Sequence, residues 1–181
     1  HNDPAFTFSW LISQDKQVKN AEVVYFIKDT FGKGYDYPQY DLYGKDFEIV
    51  EQLIENSGAK MGIHSSYYGS LSTTVELYGH LVNQPTFLPQ KQIYHRSHYL
   101  NCSIDQMQHW ADLLISDDFT MMFPDQVGFR LQTTRPVRWI NPKTMTLTNL
   151  TLHPLTVMDC TLSNTNYMNL SEDEAYFECQ R

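Results

Sequence analysis

The stretch Lys60-Met61-Gly62-Ile63-His64-Ser65-Ser66-Tyr67-Tyr68 decides how the chain is read. A short apolar run ends abruptly in a histidine, then two hydroxyls and two aromatic rings. Lying between two helical patterns, an apolar run of this length reads as a buried strand of a parallel sheet. In α/β architectures the chemistry collects at the carboxyl ends of such strands, where side chains leave the packed sheet and meet solvent. His64 stands at that edge. A histidine there also serves as a hydrogen-bonded packing residue, so the weight comes from later runs that end in the same way.

Toward the N-terminus, Asp46 to Asn56 is the clearest helix. Phe47, Val50 and Ile54 fall on one stripe, Ile49 and Leu53 lie beside it, and Gly58 ends it. From Lys28 to Gly44 the chain is rich in Gly and Tyr and reads as a long loop, a kind that in compact domains is functional or disordered. Its tyrosines suit either a surface over a ligand or simple packing. Val23 to Ile27 is a β-branched and aromatic run of strand length. Asp3-Pro4 opens a helix whose apolar face is Phe6, Trp10 and Leu11, with Ile12 beside it.

Toward the C-terminus, Leu71 to Val82 reads as a second crossover helix, and Gln92-Ile93-Tyr94 as a short strand ending in His95-Arg96-Ser97-His98-Tyr99. Ser103 with Gln106 makes a capping box for a helix that buries Ile104, Met107, Trp110, Leu113 and Leu114. Phe119 to Phe123 is the next apolar run, ending in Pro124-Asp125, and Leu155 to Met158 ends in Asp159. Ser171 with Glu174 opens a last helix. Strands alternating with helices imply right-handed βαβ units and a parallel sheet. The strand ends then deliver His64, Arg96 with His98, Asp125 and Asp159 to one face, and that convergence favours a barrel over an open sheet.

A chain of 181 residues is about one domain in size, and 41% apolar content fits a globular core. The 14% aromatic share, with 12 Tyr, suits a sugar or small-molecule cleft as well as a core. With 13 basic residues against 21 acidic ones, a net charge of −8 argues against a nucleic-acid binder that tracks phosphates. No stretch approaches the roughly 18 continuous apolar residues of a membrane span. Cys102, Cys160 and Cys179 are widely spaced and form no CxxC pair. They read as mostly buried thiols of a reducing compartment rather than a disulfide framework. No GxSxG elbow, P-loop or GxGxxG is present.

Two histidines and two carboxylates from separate strand ends suit a divalent metal such as zinc, with an open position for the attacking water. Arg96 could bind a carboxylate or hold an aspartate in its ionised form. Against these stand packing for His98 and turn or strand-end capping for Asp125 and Asp159. His80, His95, His109 and His153 lack comparable settings and read as structural or exposed.

These residues resemble the polysaccharide deacetylase (NodB-homology) superfamily, and most closely a bacterial branch associated with surface polysaccharides. Pro4 to Trp10, within DPAFTFSW, looks like the branch's DPYxTFDW segment. Tyr37 to Asp41 and Gly62 to Tyr67 are similar to its YDxxY and GxHxSY. Arg96-Ser97-His98-Tyr99-Leu100 resembles RxHYL, and Asp125 to Arg130 with Pro154 to Leu162 resembles DxxGFR…PLxVMDxTL. The resemblance implies a distorted (β/α)7-type barrel of parallel strands, with residues 1–181 as one domain and a central portion of a longer barrel. It also implies a metal-dependent hydrolase that removes acetyl groups from amino sugars, in bacterial surface-polysaccharide biosynthesis in the cytoplasm. His64 matches the first histidine of the HxxxH metal motif, and His98 would replace the second, since Tyr68 stands in its place. Zinc, nickel or cobalt would be the cation. Arg96 matches the arginine that contacts the catalytic aspartate, with Asp125 and Asp159 lining the site and Tyr67, Tyr99 and Arg130 facing the carbohydrate. The first aspartate motif and the last histidine motif have no match in the chain, and Asn101 stands where the branch has arginine. A piece of a longer enzyme and an inactive sugar-binding or scaffold relative are therefore both expected readings.

Overall fold

The computed structural model describes residues 6–29, 32–39, 41–68, 79 and 92–181. The chain forms two compact units, residues 1–91 and 92–181. In the first, helix α1 (Phe8–Asp15) precedes strand β1 (Val24–Lys28), and helix α2 (Lys45–Ser57) precedes strand β2 (Lys60–Ser65). The two strands pair in parallel from Val24 opposite Lys60 to Lys28 opposite His64. The α2 stripe of Phe47, Val50 and Ile54 is buried, each side chain contributing about 1.5–3 kcal/mol of hydrophobic stabilisation. Asp46 and Glu48 sit in its first turn, where the helix dipole favours negative charge. Gly58 ends it at φ 79, a left-handed turn that glycine adopts without strain.

Helix α1 turns a different face inward from the one expected. Ile12 is its buried residue, whereas Trp10 is 62% exposed and Leu11 is exposed too. Phe8, one turn before Ile12, brings its ring within 6.0 Å of Tyr25, so the packing stripe runs through 8 and 12 rather than 6 and 10. The expected helix opening at Asp3-Pro4 lies outside the described residues, as does the crossover helix over Leu71 to Val82 apart from Gly79.

In the second unit strand β3 (Tyr94–Ser97), strand β4 (Asp117–Asp118), strand β5 (Val137–Ile140) and strand β6 (Leu147–Leu152) lie in the order β3-β4-β6-β5. The β3/β4 and β4/β6 pairs are parallel and β5/β6 is antiparallel. Helix α3 (Ile104–Asp112) carries the expected capping box and buries Met107 and Trp110 against Ile115, Leu150 and Leu152. Ile104 and Leu114 are exposed instead of buried. A short helix α4 (Asp159–Ser163) and helix α5 (Glu172–Gln180) complete the unit, the latter opened by the Ser171–Glu174 capping box.

Two expected strands are not strands. Beyond β4 the Phe119 N–H still reaches the His95 carbonyl at 2.8 Å, but the Asp118 carboxylate accepts from the Thr120 backbone N–H at 3.0 Å and Met122 N–H bonds Thr120 C=O, so from Thr120 the run leaves the ladder. Leu155 and Thr156 bond loop backbone at Met121 and Gly128, so this second run also lies outside the sheet. The described strands nevertheless make an α/β protein, mostly parallel, and no described pairing closes them into a barrel. Among the described residues no helix is long and apolar enough to cross a membrane. The three cysteines are free thiols, Cys102 half-buried and Cys160 and Cys179 exposed, which corrects the expectation of buried sulfurs.

Candidate functional site

The tip of β2 is held by carboxylates that the sequence did not single out. Lys28 opposes His64, and the next N–H of the chain, that of Asp29, donates to the His64 carbonyl at 3.1 Å. This bond sets Asp29 beside the end of β2. Asp29 is fully buried and accepts from both the Ser66 N–H (3.0 Å) and the Ser66 hydroxyl (2.9 Å). Asp36, also fully buried, closes the 3-10 turn Gly34–Asp36 and accepts from the N–H groups of Tyr67 (2.7 Å) and Tyr68 (2.8 Å). Three successive backbone donors, at 66, 67 and 68, are thus gripped by two carboxylates. Bonds to a carboxylate are roughly twice as strong as neutral ones, so the segment after His64 is fixed rather than loose.

That grip orders a set of rings. Tyr35 stacks on Tyr68 with centroids 5.6 Å apart and planes 13° apart, and Tyr67 meets both edge-on at 5.5 and 4.7 Å. Gly34 has φ +61, and a Cβ there would sit 3.2 Å from the Tyr68 ring, so only glycine suits the turn beneath the stack. Tyr35 and Tyr68 remain exposed, as do Tyr37 and Tyr43 farther along the loop. The Lys28 ammonium donates to the Asp29 carbonyl at 3.0 Å; burial pulls its pKa below the ordinary lysine range, and the charges of Asp29 and Asp36 oppose that pull. His64 itself is half-buried and lies inside β2, not beyond its end.

In residues 92–181 the remaining expected site residues separate into a buried group and an exposed one. Arg96 lies in β3 and donates from its guanidinium to the Met158 sulfur at 3.1 Å. Burial lowers its pKa, opposed by the nearby Cys160 sulfur and by the carboxylates of Asp159 and Asp118. Among the described residues its Nε is buried without a hydrogen-bond partner, a donor still available to an acceptor. Arg96 and Asp159 are therefore brought within electrostatic reach, while Asp159 itself is exposed at the start of α4. Asp125 is exposed in a turn, whose preceding Pro124 carbonyl is held by the Thr161 hydroxyl at 2.8 Å. His98 begins a 3-10 turn and rests its ring on Tyr99 at 4.6 Å. Tyr99 and Leu100 both have φ above 50°, and left-handed backbone costs a non-glycine residue about 1–2 kcal/mol. Arg130 is exposed with its guanidinium 4.0 Å from the Cys102 sulfur, whose pKa burial raises against the pull of that charge.

Two histidines left aside at first have defined partners. His95 is fully buried, its Nδ1 2.6 Å from Asp118 Oδ2, and its ring lies against Trp110 at 4.4 Å. Asp118 also accepts from the Thr120 hydroxyl at 2.9 Å, and that hydroxyl accepts from the Ser97 N–H at 3.0 Å. His153 places Nε2 2.6 Å from Asp117 Oδ1 and stacks flat on Phe119 at 4.5 Å. The signal for these pairs was the Asp117-Asp118 doublet, two carboxylates at consecutive positions that face opposite sides of a strand.

Among the described residues no group of three or more His, Cys, Asp and Glu side chains is arranged to hold a metal ion. In residues 1–91 the carboxylate beside the His64 strand tip is Asp29, already committed to Ser66. Among the described residues neither unit by itself therefore presents a set of donors that fits a cation, and the expected ligands His64 and His98 come from different units. No protein-family model, no curated protein and no solved structure matches the chain.

Proposed function

We propose that the chain is a carbohydrate-deacetylase-like hydrolase of N-acetylated sugars, a portion of a distorted (β/α)7-type barrel from a bacterial surface-polysaccharide pathway. The observation that carries the reading is the carboxylate grip on residues 66–68 directly after His64. It sets a histidine and a group of tyrosine rings near one strand tip, an arrangement that suits a sugar acetamide. A base must take a proton from water and an acid must return one to the leaving amine, with the sugar ring held on an aromatic face. His64 would take the proton-transferring role at that tip, and Tyr35, Tyr67 and Tyr68 would be the face. Arg96, drawn toward Asp159, is assigned the support of a catalytic carboxylate, with Asp125, Tyr99 and Arg130 as further lining. The resemblance would bring a divalent cation, zinc or else nickel or cobalt, with His64 and His98 as candidate ligands, each in its own unit.

A second reading, a non-catalytic sugar-binding protein, is favoured by one contact. Tyr68 stands where the resemblance places the second metal histidine and is instead stacked on Tyr35 as part of the aromatic face. Acetate release from a panel of N-acetylated oligosaccharides, with and without added zinc, nickel or cobalt, separates the two. Metal-dependent release lost in His64→Ala supports the hydrolase. Calorimetric sugar binding without release supports the second reading, and neither result in a folded protein rejects both.

A further inference from the structure

The longest stretch without a negative charge is residues 126–158, which hold four of the 13 basic residues (Arg130, Arg135, Arg138, Lys143) and none of the 21 acidic ones. In a chain of net charge −8 this is a segregated patch, and it coincides with the β5–β6 hairpin. The hairpin is stiff. Asn141 caps its turn by accepting from Lys143 and Thr144 N–H through Oδ1 and from Met145 N–H through its carbonyl. Trp139 fixes it to α3 through an Nε1 bond to Gln108 at 3.1 Å and by packing on the core around Trp110 and Leu150. The Arg138 guanidinium bonds the Thr148 carbonyl, which keeps that charge on the hairpin.

What the hairpin leaves outward is apolar and unpaired. Among the described residues β5 pairs with β6 alone, so its other edge presents a row of backbone donors and acceptors. Val137 is 41% exposed, Ile140 47%, and Leu147 and Met145 lie open beside them. Edge strands of natural proteins are blunted by charges against adventitious pairing. Here the flanking charges are all of one sign, which selects a partner instead of repelling every strand. Aliphatic side chains on the outer surface suit a polypeptide better than a hydrophilic glycan.

We infer that the edge of β5 unpaired among the described residues is a docking site for an extended, acidic polypeptide segment, which adds as a further strand through its backbone and sets carboxylates on Arg135 and Lys143. Backbone bonds would supply the affinity and charge the choice of partner. The inference is independent of the hydrolase reading.

The test uses the whole chain and two fluorescent peptides, one alternating Glu with Val and one alternating Lys with Val, read by anisotropy at low and high salt. The Glu/Val peptide should bind at least about tenfold tighter than the Lys/Val peptide. Arg135→Glu with Lys143→Glu, both exposed and distant from the core, should invert that order, with an unchanged circular dichroism spectrum confirming the fold. A Glu/Val peptide N-methylated along one edge should lose binding, which a purely ionic attachment would not show. Equal binding of both peptides, or none, overturns the inference. Tight binding of heparin without the peptide overturns it in favour of an anionic glycan. Concentration-dependent self-association abolished by the charge reversal overturns it in favour of a second copy of the chain.

Discussion

Both units bury aspartates, and they use them differently. In residues 1–91, Asp29 and Asp36 hold the backbone of a loop through the N–H groups of Ser66, Tyr67 and Tyr68. In residues 92–181, Asp117 and Asp118 each meet a histidine ring brought by a neighbouring segment, His153 and His95, besides accepting from Ser116 and Thr120 close by in the chain. The first arrangement shapes a surface; the second ties strands together. A buried carboxylate is thus no marker of chemistry until its partners are known.

The largest expected effect tests the frame. Asp118→Ala leaves His95, the Thr120 N–H and the Thr120 hydroxyl without their buried acceptor, so unfolding stability should fall by about 3–5 kcal/mol in a urea titration. A loss under about 1 kcal/mol would erase the distinction drawn above, because the tie would then be dispensable. Next comes the grip. Asp36→Ala should cost about 2 kcal/mol, since it strands two N–H donors, and should also loosen the Tyr35–Tyr68 stack, read as a change in tyrosine fluorescence. Sugar binding, if present, should weaken more in this variant than in Asp118→Ala measured under folded conditions. His153→Ala is milder, about 1 kcal/mol, because the pair it breaks is partly open to water. Equal losses for His153→Ala and His95→Ala would show that burial does not separate the two ties.

The smallest effect concerns an exposed carboxylate. The Ser171 bonds lower the pKa of Glu174 below its ordinary value. Its contribution to α5 is therefore complete above the ordinary carboxylate range and is lost as pH falls through the lowered, folded value. Wild-type helicity should decline over that acid range, and Ser171→Ala, which removes the hydroxyl but keeps the backbone donor, should reduce the dependence. A wild-type profile identical to the variant's would show that the capping box is not holding the helix end.

Much of this was written in the chain. The period of Phe47, Val50 and Ile54, the Gly58 stop and the two capping boxes mark helices through local chemistry alone, and all formed where expected. The runs of β1 and β2 did so as well. Strand β4 was illegible because its two residues are both aspartates, whose apolar neighbours after 118 drew the strand assignment past it. Strand β6, Leu147-Thr148-Asn149-Leu150-Thr151-Leu152, buries only Leu150 and Leu152, and its leucine spacing of three then two breaks the alternation that marks a strand. Asp29 and Asp36 were invisible for another reason: their partners lie 31 to 37 residues away, and no local pattern announces such a pairing.

The two-residue length of β4 has a consequence for how its strands find alignment. Sliding that segment by a single position would put one aspartate in the other's place and bring a neutral neighbour, Ser116 or Phe119, to the vacated one. His153 would then lose its carboxylate in one direction of slip and His95 in the other. Misalignment either way strands one imidazole, so a strand too short and too hydrophilic to be positioned by greasy contacts is proofread by its own charges.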